Sequence, residues 1–305
     1  MPERVCVFLN DRSGRSGTGP SPRAVIEHAF HELGVPCDVV LLRPRDPIQR
    51  LVHKAAQTPG IVIAAAGGDG TISSIAAALA TLPAHSRPPL GVFPTGTLNH
   101  FAKDLGIPQN WNDAAKLIAQ GTPRPIDLGE VNGHYFVNNS SLGFYPGMVL
   151  ERERLRRVGL NKWLSLVIAS ARAFLRFRHI TLCVTPTEGP PITCSTPFLF
   201  IGNNEYTMEG SAAGSRPHLD RGRLYLYMAP SATRLSLIRL TANALLGRPH
   251  SEPHFKSLCV TSSTVELKRR IARIALDGEI VRVKPPIHYA IRPAAIMVIA
   301  PEPTP

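Results

Sequence analysis

Apolar and polar positions follow two different rhythms along the chain. Up to about residue 121, short and partly β-branched apolar runs are each followed by a polar turn and a segment of helical spacing. The runs are Val5 to Leu9, Cys37 to Leu42, Ile61 to Ile63 and Leu90 to Phe93. The helical segments are Pro22 to Leu33, stopped by Gly34, then Pro47 to Gln57, one continuing from Thr71, a short one capped by Thr97, and Trp111 to Gln120. Such alternation predicts a doubly wound, mostly parallel α/β sheet. Pro123 and Pro125 mark a hinge, and beyond it the rhythm becomes that of strands. Ile126 to Val131, Tyr135 to Asn139, Thr181 to Pro186, Thr193 to Gly202, Arg223 to Met228 and several stretches after Phe255 are divided by Gly, Pro or polar turns. Helical spacing returns only near Lys162 to Phe177 and Ala232 to Leu246. The second part is therefore expected to be an antiparallel β-sandwich. The expected division is residues 1–125 and 126–293.

Two strand-to-helix junctions carry candidate chemistry. At the first, Ile61-Val62-Ile63 leads through Gly67-Gly68-Asp69-Gly70 into Thr71 and an Ala/Leu-rich helix. Glycines there permit positive φ and a close approach to backbone N–H groups, and a helix N-terminus favours an anion. A ligand-free βα corner has the same appearance. Asp69 favours the phosphate reading, because a carboxylate beside a phosphate needs a metal or a proton-transfer role. At the second junction Leu90 to Phe93 runs into Pro94-Thr95-Gly96-Thr97-Leu98-Asn99-His100. The loop after the first strand, Asn10 to Gly19, is polar and glycine-rich and belongs at the same crevice.

Charge narrows the partners without choosing one. The 305 residues carry a formal net charge of +12, which favours nucleotide phosphates, anionic lipid surfaces or nucleic acid. Five scattered cysteines without a CxxC fit a reducing compartment and argue against a disulfide framework or a zinc site. Neither a leader peptide nor a membrane-spanning run is legible, so a cytoplasmic, soluble or peripheral protein is expected. The arginine-rich stretch Glu151 to Arg178, with Trp163 and Phe174, suits either a core-packed helix with a solvated basic face or an anionic membrane surface. It lacks the interleaved aromatics of a base-stacking platform, so nucleic acid is not expected.

Leu276-Asp277-Gly278-Glu279 is a hairpin signal. It also sets two carboxylates about a turn, candidates for a general base and for a metal or substrate contact.

GGDGT at Gly67 to Thr71, PTGTLNHFAKDLGIP at Pro94 to Pro108 and LDGE at Leu276 to Glu279 stand in that order. Together they resemble the diacylglycerol kinase catalytic-domain family, in particular its bacterial lipid-kinase branch, related to sphingosine kinases. FVNNSSLGF at Phe136 to Phe144 is similar to the segment that opens the family's second domain, and Asn10, Ser13 and Gly14 to its first loop, with Asp11 in place of proline. The resemblance implies ATP-dependent phosphoryl transfer to a lipid hydroxyl, in a cleft between an α/β nucleotide domain and a β-sandwich. It implies that a final strand near 294–300 returns to the first domain. It assigns Asn10, Gly67, Gly68, Asp69, Gly70, Thr71, Gly96, Thr97 and Asn99 to ATP and its Mg²⁺. Asp277 and Glu279 go to the acceptor hydroxyl, with the base undecided between them. The expected partners are a lipid substrate and an anionic membrane surface, with a homodimer as a compatible assembly.

The chain departs from that pattern in several places. Ser73-Ser74 stand where Asn-Glu is usual, and His100 where Asp is usual. At Asp220-Arg221-Gly222, Arg221 occupies the place of a carboxylate of a structural Mg²⁺ site, so a fold without that metal is expected there. A soluble NAD kinase-like enzyme and a non-catalytic lipid- or nucleotide-binding regulator are the alternatives.

Overall fold

The computed structural model describes residues 1–10, 21–157, 168, 172, 179–207, 214–230 and 256–302. The Ser13-Gly14 loop, the helix expected at 232–246 and nearly all of that expected at 162–177 lie outside these residues. The chain forms two compact units, Met1–Leu128 with Pro293–Pro305, and Gly129–Arg292. This differs by a few residues from a division at 125, because the strand that begins at Thr122 runs on through that point.

In the first unit, β1 (Arg4–Asn10), β2 (Cys37–Leu42), β3 (Ile61–Gly67) and β4 (Leu90–Pro94) are parallel in the order β2-β1-β3-β4. Between them run α1 (Pro22–Glu32), α2 (Ile48–Ala55) and α3 (Asp69–Ala80), and α4 (His100–Asp104) and α5 (Trp111–Gln120) follow β4. Every residue of β3 is buried, as a central strand covered on both faces requires. Its small residues Ala64 and Ala66 pack in the core with Val5, Val7, Phe30, Phe93 and Ile118. Arg87 donates to the Ala80 and Leu82 carbonyls at 2.9 and 2.7 Å and to Ala295 O at 2.6 Å. It thereby closes the C-terminus of α3 and ties in the last strand.

The second unit is a sandwich. β5 (Thr122–Val131) and β16 (Ile287–Ala300) run on from one unit into the other. Pro123 and Pro125, expected as a hinge, lie inside β5. Two residues apart, they withhold their missing N–H groups along one edge only, which a strand tolerates. One sheet pairs β16 with β13 (Ser262–Leu267), then β8 (Ile180–Pro186) and β9 (Ile192–Thr196), while β6 (His134–Phe136) pairs with β5. The other has the order β12-β11-β10-β7-β14-β15. Its strands are β7 (Asn139–Gly143), β10 (Phe198–Asn203), β11 (Leu224–Met228), β12 (Lys256–Val260), β14 (Ala272–Leu276) and β15 (Glu279–Val283). Leu182, Val184, Val265 and Tyr289 from one sheet meet Leu142, Leu199, Ile201, Leu226 and Ile274 from the other in a single core. The expected strand 193–202 is two strands, broken at Pro197. Helix α6 (Phe144–Arg157) follows β7 and packs across β7, β14 and β15.

Candidate active site: two glycine turns and a gripped hairpin

In the first unit the candidate residues gather at the carboxyl ends of β1, β3 and β4. This is where an open α/β sheet offers a crevice. Asn10 ends β1 and donates from Nδ2 to Thr71 Oγ1 at 3.0 Å. Helix α3 begins at Asp69, with Gly68 as its N-cap, two residues earlier than expected. Gly68 has φ −84° and ψ −179°, ordinary extended backbone, and neither Gly67 nor Gly70 has positive φ. Positive φ is therefore not what these glycines supply; close approach is. A Cβ on Gly67 would stand 2.4 Å from Thr71 Cβ, and one on Gly96 would stand 2.6 Å from Gly68 Cα. The two turns touch through backbone, which only glycine allows.

The second turn is held by its neighbours. Thr95 N donates to Gly67 O at 3.1 Å, and Phe101 N donates to Asp69 Oδ1 at 3.2 Å. Thr97, expected to cap the following helix, is exposed on the turn; the N-cap is Asn99, in the left-handed region at φ 51°. The correction has a physical cause. Asp69 already accepts an amide of that first turn, and asparagine is the residue that tolerates left-handed backbone best after glycine. Asn99 is buried; its Nδ2 donates to Gln109 Oε1 at 3.0 Å, while Oδ1 has no partner among the described residues. Thr95 Oγ1 is a second buried oxygen without one. Buried polar atoms are rarely left so: the Thr95 hydroxyl beside the backbone cradle can donate to an anion such as a nucleotide phosphate, whereas Asn99 Oδ1, an acceptor, suits a donor or a cation that accompanies it.

In the second unit, Asp277 and Gly278 have φ 47° and 88° and join β14 to β15 as a tight turn, with Leu276 opposite Glu279. Three backbone amides hold the Asp277 carboxylate. Oδ2 accepts Val137 N at 2.8 Å, and Oδ1 accepts Asn138 N at 2.8 Å and Asn139 N at 3.0 Å. The opposite side of segment 137–139 is held as closely. Arg216, 1% exposed, donates from Nη1 to Val137 O at 2.7 Å and from Nη2 to Asn138 Oδ1 at 2.6 Å. Asn203 Nδ2 also donates to Val137 O, at 2.8 Å, and Tyr206 OH to Asn138 O at 3.2 Å. The Arg216 guanidinium lies 5.4 Å from the Tyr206 ring centroid. A buried cation is costly unless its donors are met, and here they fix the backbone that fixes Asp277. Glu279, by contrast, is exposed. Arg216, Asn203, Tyr206 and Gln109 carry no spacing or composition signal, whereas Asn138 lies in the FVNNSSLGF segment. Arg216 lies far from Asp277 in sequence and is joined to it only by folding.

A structural metal at Asp220 does not fit this chain. Asp220 is exposed, the Arg221 N–H donates to Asn204 Oδ1 at 3.1 Å, and the Arg221 guanidinium lies 3.2 Å from His218 Nε2. No group of three His, Cys, Asp or Glu side chains placed to hold an ion occurs among the described residues.

Residues 4–131 match the family pattern described as "Diacylglycerol kinase catalytic domain". Proteins of Yersinia pestis (strain Pestoides F) and Yersinia pseudotuberculosis serotype O:1b, both called "Probable lipid kinase YegS-like", are 38% identical over 145 residues, 47% of this chain and 47% of each relative. The chain thus spans about half the length of the curated relatives it matches. A putative diacylglycerol kinase of Bacillus anthracis is similar across 99% of this chain and 98% of its own, with TM-score 0.74 and 18% identity, a likeness of fold. A yeast NADH kinase is similar over 100% of this chain and 85% of its own, with TM-score 0.54 and 12% identity. Among the described residues no helix is long and apolar enough to cross a membrane.

Proposed function

We propose that the protein is a lipid kinase that transfers the γ-phosphoryl group of ATP to a lipid hydroxyl. The observation that carries this reading is the backbone contact of the Gly68 and Gly96 turns beside the unpartnered Thr95 hydroxyl, which can donate to a phosphate. Amides of the α3 N-terminus and of these turns would hold the phosphates, with Asn10, Thr71 and Thr97 around them. Mg²⁺ enters with ATP as part of the substrate; Asp69, beside the cradle, is the residue suited to it. Phosphoryl transfer asks a protein mainly for positioning and neutralised charge, and a cradle of this kind offers both.

In the second unit the two carboxylates divide the work. Asp277 accepts three backbone amides, charge-assisted bonds that protonation would weaken. It is the positioning residue of the turn. Glu279, exposed on the far side, is the general base for the acceptor hydroxyl. The protein works as a cytoplasmic, peripheral enzyme, with a diacylglycerol-like lipid as acceptor.

The test is transfer from γ-labelled Mg-ATP to vesicles carrying diacylglycerol, monoacylglycerol, phosphatidylglycerol or a sphingoid base, with NAD as a soluble acceptor. Label should enter a lipid. Label in NAD alone would favour the NAD kinase-like reading, to which the fold likeness to the yeast NADH kinase lends some support. ATP binding without any transfer would favour a regulator.

A further inference from the structure

β14 and β15 set Arg273 directly opposite Arg282. Like charges in that position repel each other across the ladder. Neither has an ion-pair partner among the described residues. Both line a cavity of about 640 Å³ within the second unit, whose wall combines Leu142, Phe144, Leu150 and Ile180 with the ion-paired Glu151 and Arg172. Beside it the connection from β13 to β14, Lys268-Arg269-Arg270-Ile271, is exposed throughout, and Ile271 is 56% exposed. An exposed isoleucine next to three cations is a combination that a membrane interface favours, where the side chain is buried and the charges meet headgroups.

We propose that the Arg273–Arg282 pair and the 268–271 connection seat the headgroup of an anionic phospholipid and so dock the second unit on an anionic membrane. The headgroup supplies the charge the arginine pair lacks, and an acyl chain covers the apolar side chains of the wall. A free phosphate would leave those side chains exposed. Arg273 precedes Asp277 by four residues of β-strand, about 13 Å at the usual rise. The phosphate and hydroxyl of one headgroup are only a few bonds apart, so the seated lipid is distinct from an acceptor held at the Asp277–Glu279 turn. The seat rests on the lipid-kinase reading for its purpose, and its test reads binding alone.

The full chain is floated with vesicles of phosphatidylcholine, with or without phosphatidylserine, which offers no free hydroxyl to phosphorylate. Binding is expected only with phosphatidylserine. Arg273→Gln/Arg282→Gln should weaken it roughly 25-fold, at about 1 kcal/mol for each charge, without lowering the melting temperature, since a repulsive pair is removed. Ile271→Asp, on the exposed connection, should weaken it as well and serves if the double variant does not fold. Equal binding to neutral vesicles, or wild-type binding by the variants, would overturn the seat. So would release by millimolar inorganic phosphate at constant ionic strength, the sign of a free-anion site. Loss of docking with lipid phosphorylation intact would count against the seat alone. Docking without phosphorylation of any lipid would count against the kinase reading alone.

Discussion

The glycine turns of the first unit and the Asp277 hairpin of the second reach rigidity by opposite means. The first is shaped by what is left out: without side chains at Gly67, Gly68 and Gly96, two turns come into backbone contact. The second is shaped by what is put in, a carboxylate on three amides and a buried guanidinium on the carbonyl side of the same segment. A surface that must receive a large anion is best made of backbone donors, whereas a turn that must hold one reactive group still is best made of charged bonds. Substitutions should therefore fail differently in the two places.

The largest effect is expected at Asp277. Asp277→Ala strands three backbone amides, each worth about 1–2 kcal/mol when left unmet, so a stability loss of roughly 3–6 kcal/mol should appear in denaturant titration. Arg216→Met comes next, at about 2–4 kcal/mol, because the volume is kept while Asn138 Oδ1 loses the guanidinium donor and Val137 O keeps only Asn203 Nδ2. Its kcat should fall along with stability while affinity for ATP, measured by calorimetry, stays near that of the native protein. Gly96→Ala should show the opposite pattern. Its Cβ would press on Gly68 Cα and Asn99 Oδ1, each at 2.6 Å, parting the turns and weakening nucleotide binding tenfold or more at a stability cost of about 1–3 kcal/mol. Equal losses of stability and nucleotide affinity in all three variants would erase the contrast.

The smallest effect is an alkaline one, followed at two thiols of the first unit. Burial, with Asp38 nearby, raises the Cys6 thiol from 9.0 to about 11 and the Cys37 thiol to about 12. Between about pH 9 and 11 the unfolded chain releases protons that the folded chain keeps, so stability should fall as pH rises through that window. Melting temperatures measured at pH 8 and above 10 should show the decline, and Cys37→Ser should make it shallower.

Much of the fold is written in the local pattern. The continuous apolar run of β3, its flanking turns and the Asp-Gly hairpin are decided by neighbours in sequence, and their places could be read there. What could not be read depends on packing. GGDG marks the turn proposed for phosphate, but the reason for glycine, contact with a turn one strand away, exists only in the folded sheet. Thr97 has the right residue type for a cap, yet Asn99 takes that place once Asp69 reaches the Phe101 amide. Arg216 looks like any surface arginine until it is found buried beneath segment 137–139.

The division of labour between the two acidic residues is tested most directly by comparing Glu279→Gln with Asp277→Asn in one assay of lipid phosphorylation and thermal unfolding. Glu279→Gln should keep the native melting temperature and lose turnover by about 10²–10⁴-fold, the usual worth of a general base. Asp277→Asn should lose both, since an amide nitrogen would face a backbone N–H. Near-native turnover in Glu279→Gln, or an Asp277→Asn protein that is inactive yet as stable as the native one, would contradict the account and make Asp277 the base.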